Sequence, residues 1–213
     1  MKILVVDTET TGLPTERNPS IFSTDKWPHI IQLSYVVYDS VEHKVISLID
    51  DIVKIDDSVE LTERSVELHQ ITREKCKQKG NDIVELLHKF NGFLNKADIV
   101  VGHNISFDKR MIMVECIRHN IRSAFSNGSS KKPEYCTMKN SIDLCKIERT
   151  NSTSGETYYK YPTLGELHNI LFGTVPEGLH NSLEDVLACL RCYMKLTENY
   201  DIIEVYTVYM NRL

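Results

Sequence analysis

Asp7 and Glu9 stand two residues apart at the point where an apolar, β-branched run, Ile3 to Val6, gives out. Residues two apart in a strand share a face, so the two carboxylates point the same way. Held together without a partner they repel, and burying them is costly. A hard divalent cation with oxygen ligands removes both penalties. Taken alone, the segment reads equally well as a surface turn, where Asp, Thr and Gly are common. Asp108 closes a second segment, Gly102-His103-Asn104-Ile105-Ser106-Phe107-Asp108, which follows a buried strand and opens a helix. On its own, an acid there is explained by the helix dipole, worth about 0.3–1 kcal/mol. A third segment runs His180-Asn181-Ser182-Leu183-Glu184-Asp185. Asn181 is a candidate N-cap with Glu184 three residues on, the spacing of a capping box. Asp185 falls on an inward sector of the helix that follows and needs a partner there, either a metal shared with other acids or a Lys or Arg.

The elements that must position these acids follow from periodicity. Met1 to Val6 is predicted to be a buried strand, and Asp98 to Gly102 another. His29 to Tyr38 and Lys44 to Ile55, separated by Asp39-Ser40, read as a β-meander. Ser65 to His69 is a short helix. Asn81 or Asp82 can cap a helix in which Ile83, Leu86, Leu87, Phe90, Phe93 and Leu94 recur at helical spacing. Further helices are expected from about Phe107 to His119, from Pro162 to Phe172 and from Asn181 to Asn199, with polar surface loops at Ser123 to Glu134 and Arg149 to Lys160. Along the last helix, Leu183, Val186, Leu187, Leu190 and Met194 form one stripe, and Glu184, Arg191, Lys195 and Glu198 form a charged wedge. Asp185, Ala188, Cys189 and Cys192 form a third sector, so this helix is packed on two sides. Strands lead and helices then alternate with strands, which predicts a single α/β domain over residues 1–213.

The chain has 213 residues, 25 Lys and Arg against 30 Asp and Glu, a net charge of −5 and 41% hydrophobic residues, the composition of an ordinary globular protein. Its mild acidity argues against gripping duplex DNA through a broad basic face, but not against an enzyme that meets nucleic acid through bound cations. No apolar run approaches the roughly 18 residues of a membrane span. The N-terminus also lacks the apolar core of about 7–15 residues that a secretory signal needs. An intracellular protein without a membrane partner is therefore expected. The 6 cysteines are then expected to be reduced. Cys189 and Cys192 make the one CxxC and read as small core residues rather than a zinc or redox site. Lys131-Lys132 reads as a solvated loop tip before it reads as a phosphate contact.

Together the three acidic segments resemble the DEDDh 3′→5′ exonucleases, the superfamily of the proofreading subunit of bacterial DNA polymerase III, ribonuclease T and the mammalian three-prime repair exonucleases. The matching residues are Asp7 and Glu9 in DTETTG, Asp108 in GHNISFD, and His180 with Asp185 in HNSLED. The His-x4-Asp spacing separates this branch from relatives that carry Tyr at the His position. HIIQLSYVVYD at 29–39, LHQIT at 68–72, YCTMKNSIDL at 135–144 and YPTLGELHNILFG at 161–173 are also similar, in the family's order, so the resemblance spans nearly the whole chain. The departures are Ser182 where Ala is common, a first loop lengthened from Arg17 to Trp27, and the 149–160 loop; they bear on substrate choice more than on chemistry.

The resemblance implies a ribonuclease H-like α/β fold, with a mixed five-stranded sheet and helices on both faces. It implies two divalent metal ions, Mg²⁺ or Mn²⁺, held by Asp7, Glu9, Asp108 and Asp185, with His180 taking the proton from the attacking water. The implied activity is 3′→5′ exonuclease cleavage releasing nucleoside 5′-monophosphates from DNA in preference. Nucleic-acid 3′ ends are the implied partner, and a polymerase or replication complex is a further candidate. An exoribonuclease of the same superfamily and a catalytically silent nucleic-acid-binding module are the alternatives, and the intact set of five residues argues against the second. By the same resemblance, backbone at Thr10 and Thr11 approaches the terminal nucleotide, Leu13 wedges against its base, and Asn104 and Phe107 line the same pocket. Leu13 and Phe107 are equally well explained as core packing. The remaining histidines are read as structural.

Overall fold

β1 (Lys2–Thr10) alternates between two cores, and that alternation decides where its acids go. The computed structural model describes residues 1–127, 130–176 and 181–210. Ile3 and Val5 pack with Val36, Tyr38 and Val101 on one face of the sheet, while Leu4 and Val6 pack with Leu33, Tyr35, Val37 and Val100 on the other. Continuing the period, Asp7 and Glu9 extend the first face and Thr8 and Thr10 the second.

β1 pairs antiparallel with β2 (Ile30–Asp39), and β2 with β3 (Lys44–Ile52), so the meander forms as expected. β4 (Ile99–Gly102) joins β1 in parallel. Two short strands, β5 (Ser126–Asn127) and β6 (Ser130–Lys131), pair antiparallel with each other. β7 (Glu134–Cys136) pairs in parallel with β4 and completes a mixed five-stranded sheet of order β3-β2-β1-β4-β7. A last hairpin consists of β8 (Glu148–Thr150) and β9 (Thr157–Tyr159). The regions read as surface loops thus carry short strands, and the sheet's fifth strand lies where none was read: three residues are too few to show a period.

The helices run α1 (Glu63–His69), α2 (Arg73–Lys79), α3 (Ile83–Lys96), α4 (Ile105–Arg118), α5 (Thr137–Asn140), α6 (Ile142–Cys145), α7 (Leu164–Phe172), α8 (Ser182–Glu198) and α9 (Ile203–Met210). α3 and α4 cover the Leu4/Val6 face, and α7 and α8 the Ile3/Val5 face. Side-chain caps explain most starts. Asp82 accepts from the Val84 and Glu85 amides, and Asn181 accepts from Leu183 N. The reciprocal capping box expected at Asn181 and Glu184 forms instead at Thr163 and Glu166. α7 stops at Gly173, whose φ of +74° suits a residue without Cβ. α8 is buried from Ser182 to Met194 apart from Glu184 and Asp185.

The charged wedge read on α8 needs correction at Arg191, which is 7% exposed. Its guanidinium makes two hydrogen bonds to the Asp201 carboxylate (2.8 and 3.0 Å) and lies 3.8 Å from the centre of the Phe172 ring. The partner that removes it from solvent lies beyond the helix, out of reach of any helical wheel.

Candidate metal centre and nucleotide cleft

Three elements deliver the acids to one end of the sheet. β1 brings Asp7 and Glu9 on its α8 face, and α8 brings Asp185 from its first turn. One oxygen each of Asp7, Glu9 and Asp185 lie within 4.8 Å of one another, and these three form the one such cluster of His, Cys, Asp and Glu among the described residues. Asp108 arrives from the first turn of α4 and is buried. The Thr8 amide and hydroxyl both donate to Asp108 Oδ1, at 3.0 and 2.9 Å, tying α4 to the strand between the other two acids. The chain reaches this position through Asn104, whose left-handed conformation (φ 73°, ψ 40°) turns β4 sharply into α4; Asn tolerates that region better than most residues.

The cost of assembling these groups is visible in their proton affinities. Burial, and then the charges of Asp108, Asp185 and Glu9, hold the Asp7 carboxyl well above the usual carboxylate range. Burial, then Asp185 and Asp108, push Glu9 up to about 8. Burial raises Asp108 to about 7 against the lowering effect of the Thr8 hydrogen bonds. Such a group of acids, with only oxygen donors, suits a hard divalent cation, which would favour the ionised forms. His180 lies outside the described residues. The cysteines do not compete for the metal. Cys189 and Cys192 are buried, and burial raises both thiols far above their usual range, which disfavours the thiolate a metal needs.

The substrate-contact candidates are spread over three hollows, one of about 520 Å³ being lined by Thr11, Leu13 and Trp27. Leu13, 78% exposed, lines a cleft of about 430 Å³ with Glu9, Thr10, Gly12, Thr62, Arg64, Ser65, Leu68 and His69. Asn104 and Phe107 line a smaller hollow of about 140 Å³ with Pro14, Trp27 and Arg110, so they do not share Leu13's pocket. Thr11 is spent within the protein: its amide donates to His29 O, its carbonyl accepts from Thr62 N and its hydroxyl accepts from His29 N. Lys132 donates to Ala97 O at 2.7 Å, so of that lysine pair only Lys131 stands free in solvent.

His69, read as structural with the remaining histidines, lines the same cleft as Leu13. It is buried beside Glu9 and Thr10, and its Nδ1 accepts from Ile71 N at 3.0 Å, which leaves the proton of the neutral ring on Nε2. Burial lowers its pKa, although the nearby Thr10 backbone favours protonation. The LHQIT stretch was the available signal, but it carried no acid to draw notice. His103, by contrast, is structural as read: its Nε2 donates to Pro162 O (3.0 Å) and its Nδ1 accepts from Thr137 Oγ1 (2.9 Å).

Residues 4–193 match the family model described as exonuclease, and the chain belongs to that family. The resemblance read from the sequence is borne out at this level. Among solved structures, Escherichia coli exonuclease I in complex with a dT13 oligonucleotide is similar over 97% of this chain and 43% of its own, at 15% identity and a TM-score of 0.67. The zinc-ion-bound form of the E. coli exonuclease I–single-stranded DNA complex is similar over 99% of this chain and 43% of its own, at 14% identity and a TM-score of 0.67. At such identity the likeness is one of fold, and the chain spans less than half the length of these structures. No curated protein matches the sequence. No described helix is long and apolar enough to cross a membrane.

Proposed function

We propose that the chain is a divalent-metal-dependent 3′→5′ exonuclease that releases nucleoside 5′-monophosphates, preferentially from single-stranded or mismatched DNA ends. The observation that carries this reading is the convergence of Asp7, Glu9 and Asp185 within 4.8 Å, with Asp108 joined to the same strand through Thr8. A binding module gains nothing from acids whose burial, and in Asp7 and Glu9 also mutual repulsion, raises their pKa values. Asp7, Glu9, Asp108 and Asp185 would hold two ions, Mg²⁺ or Mn²⁺. Ions bound there supply positive charge where negative charge builds on the phosphodiester oxygens.

The remaining work falls to the chain itself. His180, placed five residues before Asp185, takes the proton from the attacking water. The exposed side chains of Leu13 and Leu68 offer apolar surface to the terminal base in the cleft beside Glu9. Thr10 shapes the floor of that cleft, its hydroxyl donating to Gly12 O at 2.7 Å. Asn104 and Phe107, in the neighbouring hollow, would meet the next part of the strand rather than the same base. DNA comes before RNA because of the DTETTG segment's resemblance and the fold shared with a protein solved on dT13. The comparisons lend no support to a polymerase or replication complex as partner. The test is a metal titration: chelated protein should leave single-stranded DNA intact, and Mg²⁺ or Mn²⁺ should restore stepwise shortening from the 3′ end.

A further inference from the structure

Asp7, Ser34 and Asp50 face one another across β1, β2 and β3: Asp7 is opposite Ser34, and Ser34 is opposite Asp50. Opposed residues of antiparallel strands put their side chains on the same face, so the three form a row beneath the first turn of α8. Ser34 and Ser182 are fully buried, and their hydroxyl oxygens are 2.5 Å apart. A carboxylate only accepts, which fixes the direction of the chain of bonds. The Ser34 hydroxyl donates to Asp50 Oδ1 (2.6 Å), so its oxygen is left to accept from the Ser182 hydroxyl. The same Asp50 oxygen also accepts from Gln32 Nε2 at 2.7 Å, and Gln32 stands opposite Glu9.

We propose that Ser34 and Ser182, oriented by Asp50, form a pin that positions the metal ligands. The pin ties the first residue of α8 to the strand beside Asp7 and so sets the place of Asp185, one turn along the same helix, against Asp7 and Glu9. Apolar attraction is non-directional, and packed helices can slide slightly past what they rest on. A short bond between two buried hydroxyls removes that freedom at the end of α8 that matters. Ser34, Ser182 and Asp50 are positioning residues, and none of them touches the metal. The inference rests on the nuclease reading above.

Its test is Mn²⁺ binding, measured by titration calorimetry on the full chain without nucleic acid, alongside thermal unfolding. Ser182→Ala and Ser34→Ala should each weaken Mn²⁺ binding by about 10-fold or more, in the range found for groups that orient metal ligands. The double variant should be no worse than either single one, because both remove the same bond. Ser34→Thr, which keeps the hydroxyl in a strand, should bind within about two-fold of wild type. If Ser182→Ala does not fold, Asp50→Ala, at an exposed position, should still weaken binding. Wild-type affinity in the folded alanine variants, or losses that multiply in the double variant, would overturn the pin while leaving the nuclease reading intact. A wild-type chain that binds no Mn²⁺ would overturn both.

Discussion

Glu9 with a pKa near 8 and Asp108 near 7, against ordinary values of 4.5 and 3.8, make the metal-free fold sensitive to pH in a defined direction. Between those limits the folded chain holds protons that the unfolded chain has released. The stability each group contributes is therefore complete below its ordinary pKa and is lost as pH rises through the folded one. His69, His103 and His168, whose pKa values burial lowers, act in the opposite sense below the ordinary imidazole range, so in chelator the melting temperature should fall from about pH 6.5 to pH 8, and saturating Mg²⁺ should flatten that slope by favouring the ionised acids. A metal-free melting temperature that rises over this range would contradict the assignment. Asp7→Asn removes one charge from the cluster, so it should raise metal-free stability by on the order of 1 kcal/mol. The same substitution, like Asp185→Asn, should lower the cleavage rate by about 10³-fold or more, the scale of losing several kcal/mol of transition-state stabilisation. Melting curves and single-turnover rates on the same samples check both halves. His180→Ala should leave metal binding unchanged and cut the chemical rate by about 10²–10⁴-fold. Wild-type cleavage should also fall with acid through the ordinary imidazole range near about 6.5, and a mutant that keeps both the rate and this acidic limb would remove His180 from the mechanism.

Between elements, the structure holds together at points of unequal visibility in the sequence. The acids of β1 and the cap of α3 were legible because strand period and capping chemistry are local. Arg191 was not, because what buries it is a carboxylate ten residues on and a ring on α7. α9 was also missed: Val205, Thr207 and Val208 favour strand, and its helix depends on packing against α8. Asp201→Ala should expose the value of that contact. Leaving the buried Arg191 without its carboxylate should cost about 1–3 kcal/mol, read as a lower urea midpoint at unchanged slope. A variant as stable as wild type would mean that His168 Nε2, 3.2 Å from Nη1, and the rings of Phe172 and Tyr206 suffice to hold the guanidinium. The lengthened first loop is tied down by the same kind of long-range contact. Arg118 donates to the carbonyls of Thr24, Trp27 and Pro28 and to Glu115. An arginine in the middle of a helical pattern gave no hint of those partners.

Over the whole molecule, two cores on opposite faces of one sheet leave a single end where β1, α4 and α8 converge, and the four acids all sit there. The order of the motifs along the chain anticipated that convergence. That the candidate contacts Leu13 and Phe107 line different hollows could not be anticipated, because they belong to segments that meet only in the folded chain. The cleft beside Glu9 makes a prediction at this scale: single-stranded and mismatched DNA, whose terminal bases can enter it, should be degraded faster than paired ends; the DTETTG resemblance adds that DNA should be degraded faster than RNA. The most direct measurement is a time course with 5′-labelled single-stranded DNA, with and without Mg²⁺, using wild type and Asp7→Asn. The expected outcome is a ladder that shortens from the 3′ end one nucleotide at a time with nucleoside 5′-monophosphate as product, abolished by chelation and by the substitution. Full-length DNA throughout with Mg²⁺ present, or equal shortening by Asp7→Asn, would contradict it.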